Sequence, residues 1–563
     1  MAYLSPNLTQ TDMSLYEKHK DTLEKAIRAL HTREYFAHYQ EHPKAYAEDA
    51  DAAGMKTYLG RLGKPFEELL QPNADAWIGE EVSPYTLEPL GITYPSYSVD
   101  KLISNAKASA KAWKNATPET RAGILMEALE RFQGRFFENA YATMHTTGQG
   151  YMMAFQASGP HAADRALEAV AAGFEELKRT PQDTVWVKPM GKFDLKLKKS
   201  WKVVPKGVAL VIGCSTFPTW NSLPGLFASL ITGNPCLVKP HSGAVLPIAL
   251  VVADIQAVLK ENGFDPLLCQ LAPDTLANPN TKILAEHPDV KIIDYTGNAT
   301  FGNYLETLHG KAVFTEKTGV NSIIIESAPN LAELIGNISF SLLLYSGQMC
   351  TAPQNFYVPA GGFESDQGHV SFEDFVSKLN EAISGLAHNP KAGPSVLGAI
   401  QNPNTSARVA EAKSLGAKVL LESSSIENPM FKNARTATPV LLEVDSSQKE
   451  LFSKELFGPI AFIIKVKDVN EALTLAKELG QTHGAMSCGA YTTSEEVKEQ
   501  IIETMAEAGT PVSFNLGNGI YINQTAAFSD FHGTGANPAA NASFTNPEYI
   551  VKRFSLVGFR EPA

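Results

Sequence analysis

Hydrophobic and polar positions follow three rhythms along the chain. In the first third, apolar residues recur at three- and four-residue spacing. TDMSLYEKHKDTLEKAIRALHTREYFAHY, VDKLISNAKASAKAWKNA and TPETRAGILMEALERFQGRFFENAYATMHTTG therefore predict amphipathic helices. The last opens with Thr117, Pro118 and Glu119, a good helix start with proline at the first helical position. Between 72 and 95 the proline and glycine density predicts a linker or a wrapping arm. From about 183 the rhythm becomes strict alternation. TVWVKP and KFDLKLKKSWKVV, separated by PMGK, predict a β-hairpin whose lysine-rich faces suit an exposed or subunit-bridging ribbon.

The third rhythm is solid apolar runs set between helical stretches. GVALVIGC, PCLVKP, KIIDYTG and NSIIIES read as buried strands, and LPIALVVADIQAVLKENG and FGNYLETLHG as helices. That alternation predicts a parallel α/β sheet. A second α/β stretch starts near Glu316 and runs past 480, with SFEDFVSKLNEAISGLA, ARVAEAKSLGAKVLLES and VNEALTLAKEL as helices. The tail, FSDFHGTGANPAANASFTNPEYIVKRFSLVGF, predicts a loop followed by one last strand.

Composition narrows this picture. At 563 residues the chain exceeds one hydrophobic core, so two or more domains are expected. A net charge of −12, from 48 basic and 60 acidic side chains, gives no electrostatic footprint for nucleic acid. No run of about 18 apolar residues appears, so no membrane span is predicted. The first residues lack the apolar centre of a secretory leader. The five cysteines, Cys214, Cys236, Cys269, Cys350 and Cys488, are odd in number and scattered. They match neither a disulfide framework nor a CxxC metal site and fit a reducing cytoplasm; no metal is expected.

Four places put chemically able residues at strand ends, where open α/β sheets bind ligands. A buried strand ends at Gly213 and runs into Cys214, Ser215 and Thr216, a turn whose amides can face an oxyanion. Lys239 follows a buried strand and precedes a proline; it either snorkels to solvent or grips a ribose or phosphate. Glu316 stands before a Gly-containing turn. Cys350 sits in YSGQMCTAP, where Gly347 and small neighbours let amides approach a thiol closely. Singly, each has an ordinary structural explanation: a plain connection, a surface charge, an inert packed thiol. No GxGxxG loop is present. Together they describe a nucleotide-binding sheet, a thiol and a carboxylate.

From about residue 100 onward the chain resembles the aldehyde dehydrogenase superfamily. EKTGV matches its ELGGK segment loosely, GQMCTA matches GQxCxA fully, and the spacing between them is the family's usual one. PKGVALVI, GNPCLVKP, YTGN and ELFGP match four further motifs in order. The N-terminal extension, the CSTFPTWN variant and the FHGTG tail are similar to the phenylacetate-degradation members called PaaN, in the form without a fused hydratase domain.

The resemblance implies two Rossmann-like α/β domains, a β-ribbon oligomerisation element and an N-terminal helical extension. The expected divisions are an extension at 1–95, a nucleotide-binding domain at 96–315 carrying the hairpin 183–204, a catalytic domain at 316–510, and a return to the cofactor domain with an oligomerisation strand at 511–563. It implies Cys350 as nucleophile and Glu316 as general base for thioester hydrolysis. Lys239, Ser242, Gly297, Asn298, Glu455 and Phe457 become cofactor contacts. The implied partners are a small-molecule aldehyde, a semialdehyde open to CoA linkage, and a second copy of the chain in a homodimer or larger assembly.

Two departures matter. Thr216 stands where the family usually has the oxyanion-hole asparagine, with Asn221 a substitute if its turn points inward. Ser242 stands where NAD-preferring members commonly carry a ribose-binding glutamate, which leans the expectation toward NADP, with NAD the alternative. The rival readings are a CoA-acylating dehydrogenase, against which Glu316 argues, and a non-catalytic binding protein on the same fold.

Overall fold

The computed structural model describes residues 10–317, 319–520, 527–528 and 546–563, with 10–14 described as backbone only. The FHGTG segment at 531–535 lies outside the described residues.

The solid apolar runs form two parallel sheets. In the first, strands Cys269–Leu271, Cys236–Lys239, Val208–Ile212, Val290–Gly297 and Ala312–Lys317 lie side by side in that order, all parallel. Val208–Ile212 comes first in the chain, and its successors add on one side before Val290–Gly297 adds on the other. The crevice beyond Ile212 and Gly297 is therefore a topological switch point, where sheets of this kind bind ligands. The second sheet has seven strands. Its centre is Asn355–Pro359 between Ile460–Val466 and Ser322–Ile325, all parallel, and only the edge strand Lys418–Leu421 runs antiparallel. β-Branched and aliphatic side chains fill both faces, as the unbroken apolar runs require.

The alternating segments form the expected hairpin, Asp183–Pro189 with Asp194–Pro205, and the final strand Phe554–Pro562 pairs along the second of these. Phe554 begins where a buried ion pair ties the tail to the first sheet. The Arg553 guanidinium binds both oxygens of Asp294 at 2.8 and 2.6 Å and the Ser229 hydroxyl at 2.7 Å.

The long helix predicted after Thr117 is two helices, Pro118–Gln133 and Phe136–Thr147. The start is as expected: the Thr117 hydroxyl accepts from the Thr120 N–H with Pro118 inside the first turn. The break falls after Gly134, at Arg135, where the chain leaves helical geometry and the Arg135 side chain reaches Asp254 at 3.0 Å and Glu68 at 2.8 Å.

The proline-rich stretch is a wrapping arm. Gln71 exchanges two hydrogen bonds with the backbone of Leu271, at 2.7 and 3.1 Å, capping the sheet's edge strand. Buried Glu81 accepts from the N–H groups of Val245 and Leu246, the start of the Leu246–Glu261 helix, and from the Tyr94 hydroxyl.

Candidate active site

Cys350 stands at the floor between two cavities. One, of about 650 Å³, is lined by Thr216, Gly297, Asn298, Glu316, Cys350, Glu455 and Phe457. The other, of about 270 Å³, is a funnel walled by Met152, Met153, Phe217, Trp220, Phe340, Leu344 and Met349, with Cys350 at its end. A polar chamber and an apolar chamber thus meet at one thiol.

The loop that presents the thiol is strained. Tyr345 and Ser346 take left-handed backbone angles, φ 51° and 49°, before Gly347 at φ 63°. A Cβ at Gly347 would meet the Gly458 carbonyl oxygen at 2.6 Å, so the ELFGP turn and the cysteine loop touch where only glycine fits. Side chains hold the strain in place. Tyr345 donates to the Thr147 carbonyl, and Ser346 to those of Leu397 and Ala437. Gln348 bridges Tyr345 and Ala399 at 3.1 and 3.0 Å and accepts from the Gln401 N–H. Asn321 donates to the carbonyls of Cys350 and Ala352 at 2.7 and 2.9 Å and accepts from the Met486 and Ser487 amides.

Glu316 is the penultimate residue of the strand Ala312–Lys317 and is 2% exposed. Its carboxylate hydrogen-bonds the Cys350 thiol, and its Oε2 accepts from the Asn221 amide at 3.0 Å. Burial and the adjacent Glu316 charge push the Cys350 thiol well up from its ordinary value.

The two oxyanion candidates are placed differently. Asn221 points inward from the Pro218–Ile231 helix onto Glu316. Thr216 lines the polar cavity, its carbonyl accepting from Gln149 at 2.7 Å and its side chain lying against the Cys214 sulfur.

Behind the polar cavity a further cleft of about 460 Å³ shares Cys214, Ser215, Thr296, Gly297 and Asn298 with it and continues to Lys239. Asn298 caps the Ala299–Glu306 helix, and a Cβ on Gly297 would fall on the Tyr295 hydroxyl, so only glycine fits against that ring. Lys239 is not free for a phosphate: its ammonium binds the Asp274 carboxylate at 2.6 Å, both nearly buried. Ser242 is 5% exposed and lines neither of these spaces. The ELFGP turn is pinned by Arg408, which donates to the Phe457 carbonyl at 2.6 Å, and by Gln354, which accepts from Leu456 at 2.7 Å.

The matches with known proteins fit this arrangement. The model of the aldehyde dehydrogenase family matches residues 79–545. The chain belongs to the aldehyde dehydrogenase family. Over 98% of its length this dehydrogenase superposes on 99% of a crystal structure described as an NAD-dependent aldehyde dehydrogenase from Burkholderia multivorans, with TM-score 0.94 and 44% identity. It is 24% identical to an alpha-ketoglutaric semialdehyde dehydrogenase of Bacillus subtilis (strain 168), over 68% of this chain and 75% of that protein. It is 26% identical to an NADP-dependent glyceraldehyde-3-phosphate dehydrogenase of Streptococcus equinus, over 76% of this chain and 85% of that protein. The dehydrogenase oxidises an aldehyde with NAD or NADP as the oxidant. The paired cavities suit such a two-lobed cofactor: they share five lining residues, lie at the sheet's switch point, and are both lined by Gly297.

Of the residues expected from sequence, Cys350, Glu316, Thr216, Gly297, Asn298, Glu455 and Phe457 share the polar cavity, Lys239 lines its continuation, and Ser242 stands apart. Sequence reasoning missed Asn321 and Gln348, which hold the cysteine loop, and the Met- and Trp-lined funnel. GQxC did contain Gln348, and an asparagine opening a buried strand is a polar residue that needs partners.

Proposed function

We propose that this dehydrogenase oxidises an aldehyde to its acid through a thioester on Cys350. The observation that carries the reading is the Glu316–Cys350 hydrogen bond at the junction of an apolar funnel and a polar cavity. The aldehyde enters the funnel, Cys350 gives up its thiol proton to solvent through the polar cavity, and the thiolate sulfur attacks the carbonyl carbon. The new oxyanion is held by the Cys350 N–H and the Asn221 amide, which takes the part that Thr216 is too short to play. Oxidation of this adduct to the thioester needs a hydride acceptor, which a bound nicotinamide would supply. Glu316, its carboxylate steadied by Asn221, then draws a proton from the water that hydrolyses the thioester. Lys239, Gly297, Asn298, Glu455 and Phe457 hold the cofactor.

The Asp274–Lys239 pair moves the cofactor reading from NADP toward NAD. A buried carboxylate that already neutralises the lysine opposes a 2′-phosphate and favours neutral ribose hydroxyls. The funnel's methionine and aromatic walls favour an aldehyde with an apolar body next to the carbonyl. Together with the CSTFPTWN and FHGTG likeness, this supports a semialdehyde of aromatic, phenylacetate-type catabolism, with any CoA portion outside the funnel. Hydrolysis rather than transfer to CoA follows from Glu316 at the thiol. The exposed apolar side chains Val185, Val187, Phe193, Leu556, Val557 and Phe559 on the three-stranded ribbon support a homodimer or larger assembly.

The test is turnover with NAD or NADP and a panel of aliphatic, aromatic and CoA-linked aldehydes, followed by reduced-nicotinamide absorbance, with and without free CoA. The reading requires an acid product whose rate ignores added CoA. An acyl-CoA product formed faster with CoA would replace it.

A further inference from the structure

The funnel that ends at Cys350 is walled mainly by apolar side chains, yet Gln156 and His161 line it as well. His161 is the second residue of the Pro160–Lys178 helix. Its Nε2 lies 2.8 Å from the Glu41 carboxylate, and its Nδ1 has no hydrogen-bond partner among the described residues. The His161 side chain is 19% exposed, within reach of a small molecule but out of bulk water.

Glu41 comes from the N-terminal extension, ahead of residue 79, where the family match begins. The extension runs along one face of the same helix in antiparallel order. His31 meets Glu175, and Arg33 meets Glu168 at 3.2 Å. The N–H groups of His38 and Tyr39 donate to Asp164 at 3.0 and 3.4 Å, and Glu41 meets His161. Helix positions 161, 164, 168 and 175 follow one another at the spacing of a single face. Asp164 and Glu168 are each 3% exposed, so their contacts are closed to water and fix the register of Glu41 against His161. The Glu41 carboxyl is held below its ordinary value, chiefly by its bond to His161.

With one ring nitrogen turned to Glu41, the other is left for a ligand. A carboxylate on one side lets the ring carry a proton on each nitrogen and donate from both, and what a second N–H binds is an oxygen. We propose that His161, held by Glu41, is a specificity-determining residue: it binds a second oxygen function, a carboxylate or a carboxyl-derived carbonyl, that the aldehyde carries away from its reacting carbon. The proposal rests on the thioester reading, in which the funnel leads the aldehyde to Cys350. Cys350 and His161 then hold the two ends of one substrate, with the apolar walls between them. The extension has a part in the site, because it supplies the carboxylate that orients the ring.

The test is steady-state oxidation by the full-length protein of straight-chain aldehydes of graded length, each as the plain alkanal, the ω-carboxylate and the ω-methyl ester. At the best length the wild type should favour an oxygenated aldehyde over its plain counterpart in kcat/KM by about tenfold or more, the worth of a hydrogen bond to a charged group. His161→Leu should lower that ratio about tenfold, through KM rather than kcat. His161→Phe keeps a ring without nitrogens and serves in place of a leucine variant that does not fold. Glu41→Ala should lower the same ratio. A gain for the carboxylate alone marks an anion as the group bound, and equal gains for carboxylate and ester mark a carbonyl oxygen. No preference at any length in the wild type, a ratio unmoved in a folded His161 variant or in Glu41→Ala, or a loss shared equally by all the aldehydes would overturn the proposal. Cys350→Ser separates this proposal from the reading beneath it. If that variant keeps turnover, the thioester mechanism fails; if it is dead while the His161 variants leave the ratio in place, only His161 loses its role.

Discussion

Glu316→Gln separates the two halves of the proposed reaction. The substitution keeps the shape of the side chain and its place at Asn221 and Cys350, but removes the charge and the base. Loss of a general base costs about 10²–10⁴ in rate. Steady-state oxidation should fall by that factor, while rapid mixing with aldehyde and cofactor still gives a burst of reduced nicotinamide near one equivalent per active site. The same variant tests the electrostatics. Glu316 and burial both hold the Cys350 thiol above its ordinary value, and alkylation needs the thiolate. With the carboxylate gone its share of that rise is lost, so the alkylation midpoint should move to lower pH, on the order of 1–3 units for a contacting charge. Stopped-flow absorbance and iodoacetamide kinetics measure both. Steady-state turnover within tenfold of wild type, or an alkylation midpoint that rises, would refute the reasoning.

Three further outcomes follow from the geometry. Asn221→Ala should lower kcat by about 10²–10³, as loss of one oxyanion-hole donor does, whereas Thr216→Ala should stay within about threefold; the reverse ranking in steady-state assays would return the role to Thr216. Asp274→Ser frees the Lys239 ammonium, so the ratio of kcat/KM for NADP over NAD should rise at least about tenfold, and an unchanged ratio would remove Asp274 from cofactor choice. Arg553→Met leaves Asp294 charged and unpaired inside the first sheet and should cost about 3–5 kcal/mol, read as a lower denaturant midpoint.

Strands and helices were legible where the pattern had one cause. The runs GVALVIGC and NSIIIES lie in parallel sheets because both faces are buried, and the alternation of KFDLKLKKSWKVV marks a ribbon because its faces differ. The second long helix was misread as unbroken because Gly134 is tolerated within helices, and only the distant partners of Arg135, Glu68 and Asp254, fix the break. At the site, the motifs placed Cys350, Glu316, Gly297, Asn298, Glu455 and Phe457 around one cavity. Pairings between distant segments were not legible. Nothing near Lys239 in the chain announces Asp274, and nothing in CSTFPTWN says whether Thr216 or Asn221 faces the carboxylate. These depend on how turns and helix phases aim side chains in space.

The thioester on Cys350 is the centre of this account, and mass spectrometry reads it directly. Glu316→Gln mixed with aldehyde and NAD, quenched in acid and digested, should show an acyl group on the peptide carrying Cys350, absent without NAD and absent from the Glu316→Gln, Cys350→Ser double variant. Aldehyde oxidation with Cys350 unmodified under these conditions, or an acyl group on another residue, would contradict it.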